Sequence, residues 1–474
     1  MSDRKRKRAS PADRQAKPIM AGRRAMRVII VGGGHIGFAL ARVLAPRHSV
    51  FVIDHDAGVA DAFAKLDVQF VHGSATSATV LRRAQADQAD IFISCTGLDE
   101  VNIVSCSLAR SLGDMKTVCF VSKDDLLRFA GTSDGLQAHF KINQIVWPEA
   151  QLAADIERIV AVPGAIDAET FADGRIQLVE YRLRHGSPLT TGPIAGLHLP
   201  HGTLIVAVKQ GQRFFIPHGA TRLSPDDKIV VMGTADGMRR FHERVVGEQP
   251  RRAKMLVTIV GGGDVGFRLA QGLDRQRDVE LRVIESSPAR GEFVAANLQR
   301  ALVLTGDGTD LELLESEQIG RSDVLVSVID NDERNLLASL LGRQLGVGKV
   351  ITRVSKPANL RLFERVGIDV AISARGAAVA SVLHQIHGGA TRLLAVVEQG
   401  AGRILELDVP QGYAPTALRD LAAPLNSIVG AIIRQSQAIV PRGTDQIRPG
   451  DRLIVFTTHG AEDRVRDYFT SVGA

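Results

Sequence analysis

Short apolar runs alternate along the first part of the chain with segments whose apolar residues repeat at helical spacing. The runs are rich in β-branched residues and fall at residues 27–31, 50–54, 69–72, 90–94 and 117–121. Helices are predicted between them, at residues 37–44, up to residue 66, and near residues 78–84 and 101–112. Because strands that alternate with helices are usually buried on both faces, this pattern predicts a parallel sheet covered by helices.

The same pattern occurs a second time in the chain. Residues 26–37 recur as residues 255–266, residues 90–94 as 323–327, and residues 217–231 as 441–455. The offsets are 229, 233 and 224 residues, so insertions are confined to loops. The chain is therefore one module repeated, and each module begins with a doubly wound Rossmann domain.

The second part of each module has a different pattern. Short strands are predicted at residues 176–181, 204–209 and 228–232, separated by turn signals, with a helix near residues 417–421 in the second copy. This indicates a small α+β domain. The predicted segments are a disordered basic tail at 1–25, Rossmann domains at 26–164 and 255–388, α+β domains at 165–245 and 389–474, and a linker at 246–254.

A glycine-rich loop follows the first strand of each module and opens a helix. The first loop is Gly32-Gly33-Gly34-His35-Ile36-Gly37, and the second is Gly261-Gly262-Gly263-Asp264-Val265-Gly266. In such a loop the first glycine permits a tight turn, the middle one lets a pyrophosphate approach, and the last allows close packing of helix and strand. The helix N-terminus then attracts the negative charge.

An acidic residue ends the second strand of each module. Asp54 and Glu285 stand where a carboxylate accepts hydrogen bonds from ribose hydroxyls and repels a 2′-phosphate, which favours NAD(H), ATP or ADP over NADP. Loops after the third and fourth strands should complete each crevice. These loops carry Gly73, Ser74, Thr96 and Gly97 in the first module and Gly306, Asp307, Ile329 and Asp330 in the second.

Several polar residues near these loops allow two interpretations. Asp99, Asn102, Asp332 and Asn335 either contribute to the crevices or cap the helices that follow. Asp264 places a carboxylate beside the expected pyrophosphate, which weakens binding unless the side chain points away. The second site is therefore expected to be weaker or to take a different ligand.

Charge is concentrated at the N-terminus. Residues 1–25 carry nine Lys or Arg and two Asp, a charge of +7, so the other residues together carry −1 of the net +6. The tail is expected to be solvated, with anionic lipid or RNA as alternative contacts, and no specific nucleic-acid site is predicted. No apolar run approaches the roughly 20 residues that span a bilayer, so membrane contact is expected only through a partner.

Neither module has an evident catalytic apparatus. No P-loop lysine, no H-E-x-x-H motif and no paired zinc-ligand spacing is present. Cys95 and Cys119 are interpreted as buried strand residues and Cys106 as a helix-packing residue. The pattern favours nucleotide binding without turnover, and an NAD-dependent oxidoreductase remains the alternative.

The doubled glycine loop, acidic strand end and small C-terminal domain resemble the TrkA family of tandem RCK (regulator of potassium conductance) proteins over residues 26–474. The resemblance implies NAD(H) or adenine-nucleotide binding, assembly into a ring, and docking on a TrkH- or TrkG-type pore at the cytoplasmic face of the bacterial inner membrane. The function implied is gating of potassium uptake. A regulator of another transporter, such as a glutathione-gated efflux system, is a further alternative.

The family pattern maps the nucleotide contacts onto the glycine loops, the two carboxylates and the loops named above. It also places an arginine in the fifth strand, which is Arg353 in the second module, whereas the first has Phe120. Ser74 likewise replaces the usual acidic residue, which Asp307 retains.

Overall fold

The architecture is that of a computed structural model. It describes residues 25–130, 135–162, 164–246, 254–356, 359–373, 391–435 and 437–470, together with 376, 378, 379 and 382. The predicted basic tail, apart from residue 25, and most of the predicted linker lie outside these residues.

The first domain is a six-stranded parallel sheet in the order β3-β2-β1-β4-β5-β6. Its strands are β1 (Arg27–Val31), β2 (Ser49–Asp54), β3 (Val68–His72), β4 (Ile91–Ser94), β5 (Lys116–Phe120) and β6 (Gln144–Val146). Its helices are α1 (His35–Leu44), α2 (Ala60–Phe63), α3 (Ala78–Arg83), α4 (Asp99–Leu112), α5 (Asp124–Ala130), α6 (Leu136–His139) and α7 (Pro148–Ala161). The order reverses between β1 and β4, where such sheets bind ligands.

A five-stranded antiparallel sheet follows, in the order β10-β9-β11-β8-β7. Its strands are β7 (Ala165–Phe171), β8 (Ile176–Arg182), β9 (Thr203–Gln210), β10 (Arg213–Phe215) and β11 (Lys228–Thr234), and α8 (Ala235–Val246) packs against it.

The second module repeats both domains. Its parallel sheet has the order β14-β13-β12-β15-β16-β17. The strands are β12 (Met255–Val260), β13 (Val279–Glu285), β14 (Leu302–Thr305), β15 (Val324–Ser327), β16 (Lys349–Arg353) and β17 (Val370–Ile372). The helices are α9 (Asp264–Asp274), α10 (Pro288–Ala296), α11 (Leu311–Ser316), α12 (Asp332–Gln344) and α13 (Leu360–Arg365). The predicted fold class, two Rossmann domains each followed by a small α+β domain, is confirmed.

The last domain has the sheet order β18-β19-β24-β21-β22. Its elements are β18 (Thr391–Val397), β19 (Gly402–Asp408), β20 (Thr416–Ala417), β21 (Ser427–Arg434), β22 (Gln437–Ile439), β23 (Gln446–Ile447), β24 (Arg452–Thr458) and α14 (Glu462–Thr470). The prediction of a helix near residues 417–421 was wrong. Ala417 pairs with Gln446 in a two-stranded ribbon, and only a 3-10 turn at Leu418–Asp420 follows.

The two modules are interleaved. Helix α7 belongs to the first module, yet its buried residues Leu152 and Ile156 pack with Val257 and Leu269 of the second parallel sheet and helix α9. The two small antiparallel sheets also share one apolar core. Apolar burial therefore joins the halves. Among the described helices, none is both long and apolar enough to cross a bilayer.

Candidate functional site

The backbone of each glycine loop explains why glycine is needed at its first and last positions. Gly32 has φ +103° and Gly261 has φ +106°, a region that side chains rarely adopt. A Cβ on Gly37 would lie 1.8 Å from the carbonyl oxygen of Gly32, and Gly266 stands in the same relation to Gly261. Each helix can therefore start directly against its strand only with glycine at these positions.

The middle glycines face open space. A Cβ built on Gly34 or Gly263 meets no atom within 4 Å. Each of these residues is the N-cap of its helix, α1 or α9, and neither helix has a side-chain cap. The uncapped N-terminus of a helix is suited to bind an anion through its backbone N–H groups.

The two predicted carboxylates are held in matching positions. One oxygen of Asp54 accepts a hydrogen bond from the Gly33 N–H at 2.5 Å, and the other accepts from the Asp56 N–H at 2.8 Å. Glu285 accepts from the Gly262 N–H at 2.7 Å and from the Ser287 N–H at 2.8 Å. The longer glutamate thus reproduces the aspartate's geometry, and each carboxylate is fixed beside its glycine loop.

The third-strand loops lie next to these carboxylates. The N–H of Gly73 donates to the carbonyl oxygen of Asp54, and the N–H of Gly306 donates to that of Glu285. Ser74 bonds to the Thr76 hydroxyl, while Asp307 accepts from Thr309. The hydrogen bonds from Thr309, supported by Arg334, hold the pKa of Asp307 below its usual range.

Asn102 and Asn335 have a role that neither sequence interpretation included. The buried Asn102 side chain accepts from the Thr96 N–H and donates to the carbonyl oxygens of Thr96 and Phe120. Asn335 makes the same three contacts with Ile329 and Arg353. Each asparagine therefore fixes the fourth-strand loop to the fifth strand.

Asp99 and Asp332 do not act as helix caps either. Asp99 accepts from the N–H groups of Ser122 and Lys123, which follow β5. Asp332 accepts from the corresponding N–H groups after β16. These buried carboxylates fix the loops that follow the fifth strands.

A crevice of about 490 Å³ lies over the second glycine loop, within the usual size of small-molecule sites. Gly261, Gly263, Asp264, Val265, Glu285, Gly306, Ile329, Asp330 and Arg353 line it, so the structure brings most of the predicted second-module residues together. Gly262 lies at its base beside Glu285, whereas Gly266 packs beneath the loop.

The structure also adds residues that sequence reasoning missed. Arg290, Arg334 and Glu149 line the second crevice. Arg290 donates to the Gly262 carbonyl oxygen at 2.8 Å and pairs with Asp264 at 3.2 Å. The expected conflict at Asp264 is thus relieved by a neighbouring cation. Motif spacing does not point to Arg290, because its long side chain reaches the glycine loop from helix α10.

Glu149 could not have been found from motif spacing, because it reaches the second crevice from helix α7 of the first module. Burial raises the pKa of its carboxyl, and the nearby Arg353 opposes that rise.

The first-module residues occupy the corresponding places around β1. His35 is exposed at the start of α1, and Ile36 is half-buried behind it. Thr96 and Gly97 follow β4. Phe120 is buried at the end of β5, where the second module has the half-buried Arg353. Cys95 lies one residue beyond β4 and is only half-buried, so its assignment to a buried strand position was wrong.

Comparison with known proteins agrees with this repeated architecture. The TrkA-N domain matches residues 28–133 and 257–374, and the TrkA-C domain matches residues 178–245 and 404–470. The chain is 35% identical to the Trk system potassium uptake protein TrkA homolog 1 of Methanosarcina mazei, covering 94% of this chain and 100% of that protein. It is 30% identical to the TrkA protein of Halomonas elongata, covering 93% and 97%.

Solved structures show the same fold. The GsuK RCK domain superposes with a TM-score of 0.57 at 21% identity, covering 93% of this chain and 94% of that one. The GsuK channel bound to NAD also gives 0.57, at 22% identity, covering 94% and 79%. The predicted resemblance is confirmed. The chain belongs to the TrkA family, with its TrkA-N and TrkA-C domains each present twice.

Proposed function

We propose that the two glycine-loop crevices bind NAD(H), or alternatively ATP or ADP, as regulatory ligands. The observation that carries this proposal is the repeated geometry of the carboxylates. Asp54 and Glu285 each stand one strand away from an uncapped helix N-terminus, and both are fixed by the same backbone contacts. A ribose accepted by the carboxylate places its pyrophosphate over the middle glycine, where open space is available.

The chain acts as a regulatory subunit of a potassium uptake system. Its relatives in Methanosarcina mazei and Halomonas elongata are named as Trk potassium uptake proteins. The GsuK channel, whose fold it shares, has been solved with NAD bound. We infer that this subunit docks at the cytoplasmic face of a TrkH- or TrkG-type pore.

Binding is proposed to shift the protein between two shapes. Helix α7 connects the modules, since it packs on the second sheet and carries Glu149 into the second crevice. A nucleotide that favours one position of this helix therefore favours one arrangement of the halves. A coupling of about 1–3 kcal/mol per site suffices when several sites act together.

Self-association into a ring of RCK units is supported by exposed apolar side chains. Val104 on α4 and Leu337 on α12 lie at equivalent places in the two modules, as do Phe129 on α5 and Leu362 on α13, and the second module adds Leu340 on α12 and Val366 after α13. Large apolar side chains exposed at repeated positions are candidates for contacts with other chains.

Turnover of the nucleotide is not part of the proposal. The described residues that line the second crevice include neither His nor Lys to serve as a general acid beside a nicotinamide. The oxidoreductase alternative therefore has no His or Lys donor among the described residues that line the second crevice.

Purified protein tests this proposal. NADH, NAD, ATP and ADP are each added at saturation, and the melting temperature and NADH absorbance are followed with a panel of small carbonyl substrates. We expect the melting temperature to rise for at least one nucleotide, with no NADH consumed. Steady oxidation of NADH with any substrate would favour the enzyme, and no thermal response to any nucleotide would contradict binding.

A further inference from the structure

A cleft of about 360 Å³ lies between the small domain of the first module and the second Rossmann domain. The first module lines it with the start of β7 and the turn after β8. The second module lines it with the last turn of α12, the start of β16 and the segment between α13 and β17. Its volume is within the range of small-molecule sites.

This junction cleft is separate from the second glycine-loop crevice. Lys349 begins strand β16 and lines the cleft, whereas Arg353 ends the same strand and lines the crevice. At about 3.3 Å per residue, the two ends of this strand are about 13 Å apart. A ligand in the junction cleft therefore lies at the edge of the sheet opposite the glycine loop.

Two of the carboxylates that line the junction cleft already have cationic partners. Asp369 accepts from Arg343 at 3.3 Å and from the Val350 N–H at 2.9 Å. Glu364 lies 3.5 Å from the ammonium group of Lys228. The charges of these two carboxylates are therefore largely compensated.

The other charged side chains of the lining are mainly cationic. Arg182 ends β8 and Arg184 follows it; both are exposed, and neither forms an ion pair with a described residue. Lys349 is only 6% exposed and likewise has no ion-pair partner within the described part of the chain. With His185 neutral, these three cations and Asp226 leave two positive charges in excess.

Lys349 is held at the boundary between the modules. Its ammonium group donates to the carbonyl oxygens of Ile159 and Val162, at 2.8 and 3.3 Å, where helix α7 ends. An ammonium group has three N–H donors, so one remains for a ligand. Burial lowers the pKa of the Lys349 ammonium to about 7, and Asp369 opposes that shift only in part. An anion in the cleft stabilises the charged form and is bound by it in turn.

The repeat shows that the fold does not require these cations. By strand register, Asp408 and Pro410 of the second small domain stand where the first small domain has its two arginines. Lys116, the counterpart of Lys349 in the first Rossmann domain, is exposed. The cationic lining is therefore a feature of one junction and not of the repeated architecture.

We propose that the junction cleft is a further ligand site, for a small dianion of the phosphate type. Arg182 and Arg184 bind it from the first module and Lys349 from the second, because guanidinium groups offer phosphate oxygens paired N–H donors. The bound dianion links the two modules independently of the glycine-loop crevices.

Inorganic phosphate is the probe, added to the full chain with both glycine loops blocked. Gly34→Glu with Gly263→Glu places a carboxylate in the open space of each loop, at residues with φ −68° and −62° that accept a side chain. Calorimetry at constant ionic strength then measures phosphate binding outside those loops. We expect binding to persist, with a single phosphate per chain.

Substitutions in that background test the lining residues. Arg182→Gln with Arg184→Gln should weaken phosphate binding at least about tenfold, because two charge-assisted contacts are lost. The control, Arg213→Gln with Arg222→Gln, removes the same charge from exposed arginines of the same small domain that do not line the cleft. It should change binding less than about twofold, because salt screens distant exposed charges. Lys349→Gln keeps an N–H donor for the α7 carbonyls but removes the charge, and should weaken binding at least about threefold.

Circular dichroism confirms the folding of each variant. The same substitutions in the chain with native glycine loops, compared by the rise in melting temperature with phosphate, give a second measurement that does not depend on the blocked loops. Loss of all phosphate binding when the glycine loops are blocked would overturn this inference, as would equal losses in the arginine pair and its control. Neither result bears on nucleotide binding. Failure of every nucleotide to bind, with phosphate binding retained in the cleft, would contradict the proposed function alone.

Discussion

At the scale of single residues, the nucleotide-binding chemistry of the crevices depends on backbone conformations that can be recognised in the sequence. Glycines with positive φ and a carboxylate at a fixed distance are recognisable because few other residues satisfy those positions. Arg290 and Glu149 were not recognisable in this way, because a long side chain reaches a site from positions that no backbone rule specifies. Predicting such residues requires knowing which helix covers which sheet.

The two carboxylates provide the first prediction. Asp54→Ala should weaken adenine-nucleotide binding at the first crevice, and Glu285→Ala at the second, each by about tenfold. The loss corresponds to about 1.5 kcal/mol for hydrogen bonds from ribose to a charged acceptor. Calorimetry on both variants and on the double variant measures it. Each single variant is the control for the other, and unchanged affinity in both would remove the ribose assignment.

A second prediction concerns Asp167, on strand β7 at the junction of the modules. Burial, reinforced by Asp155, raises the pKa of the Asp167 carboxyl to about 6. The group binds its proton more tightly folded than unfolded, so its contribution to stability falls as pH rises from about 4 to about 6 and stays low above that.

Asp167→Asn removes this penalty. We expect the variant to be more stable than wild type at pH 8, on the order of 1–2 kcal/mol, with the difference shrinking towards pH 5. Urea denaturation at both pH values measures it. Asp173→Asn is the control, because that side chain is 93% exposed. A stabilisation equal at both pH values would contradict the assigned cause.

At the scale of elements, the first five strands of the parallel sheet and the helices after the glycine loops were predictable, because β-branched runs and glycine-rich loops repeat in two copies. The sixth strands, β6 and β17, are only three residues long and were not predicted. The short ribbon β20–β23 was not, since two paired residues carry no periodic pattern. The passage of α7 onto the second sheet was hidden for a different reason. The spacing of its apolar residues, which include Leu152 and Ile156, predicts a helix with one buried face. It does not indicate which of the two sheets that face covers.

Helix α7 gives a third prediction. Ile156→Ala removes a fully buried side chain at the contact with the second sheet and should lower the free energy of unfolding by about 2–4 kcal/mol. It should also weaken nucleotide binding at the second crevice several-fold, because Glu149 lies on the same helix. Leu81→Ala is the matched control. It is equally buried, but within the first module's own core. Equal effects of both variants on second-crevice affinity would contradict the coupling through α7.

At the scale of the whole molecule, helix α7 of the first module packs on the second Rossmann sheet and the two small sheets share a core, so apolar packing joins the halves. The duplication was evident from the sequence, whereas the interleaving depends on contacts between residues far apart in the chain. The exposed apolar side chains are proposed to make contacts between copies of the chain.

The fourth prediction addresses those contacts. Leu337→Glu with Leu362→Glu places charges on side chains that are 47% and 50% exposed. We expect the assembly to dissociate, because burying an unpaired charge in an interface is costly. Sedimentation velocity reports the mass of the particle. Leu425→Glu is the control, at an 85% exposed position in the last domain, outside α12 and α13. An unchanged mass would show that copies associate through another surface.

Small-angle X-ray scattering of the full chain, with and without saturating nucleotide, tests the central claim most directly. The account predicts that NADH or ATP changes the radius of gyration and that the nucleotide is recovered chemically intact. Gly34→Glu combined with Gly263→Glu, which places a carboxylate in each glycine loop, should abolish the response. Identical scattering curves at proven saturation, or consumption of the nucleotide, would contradict a protein that senses its ligand by changing shape.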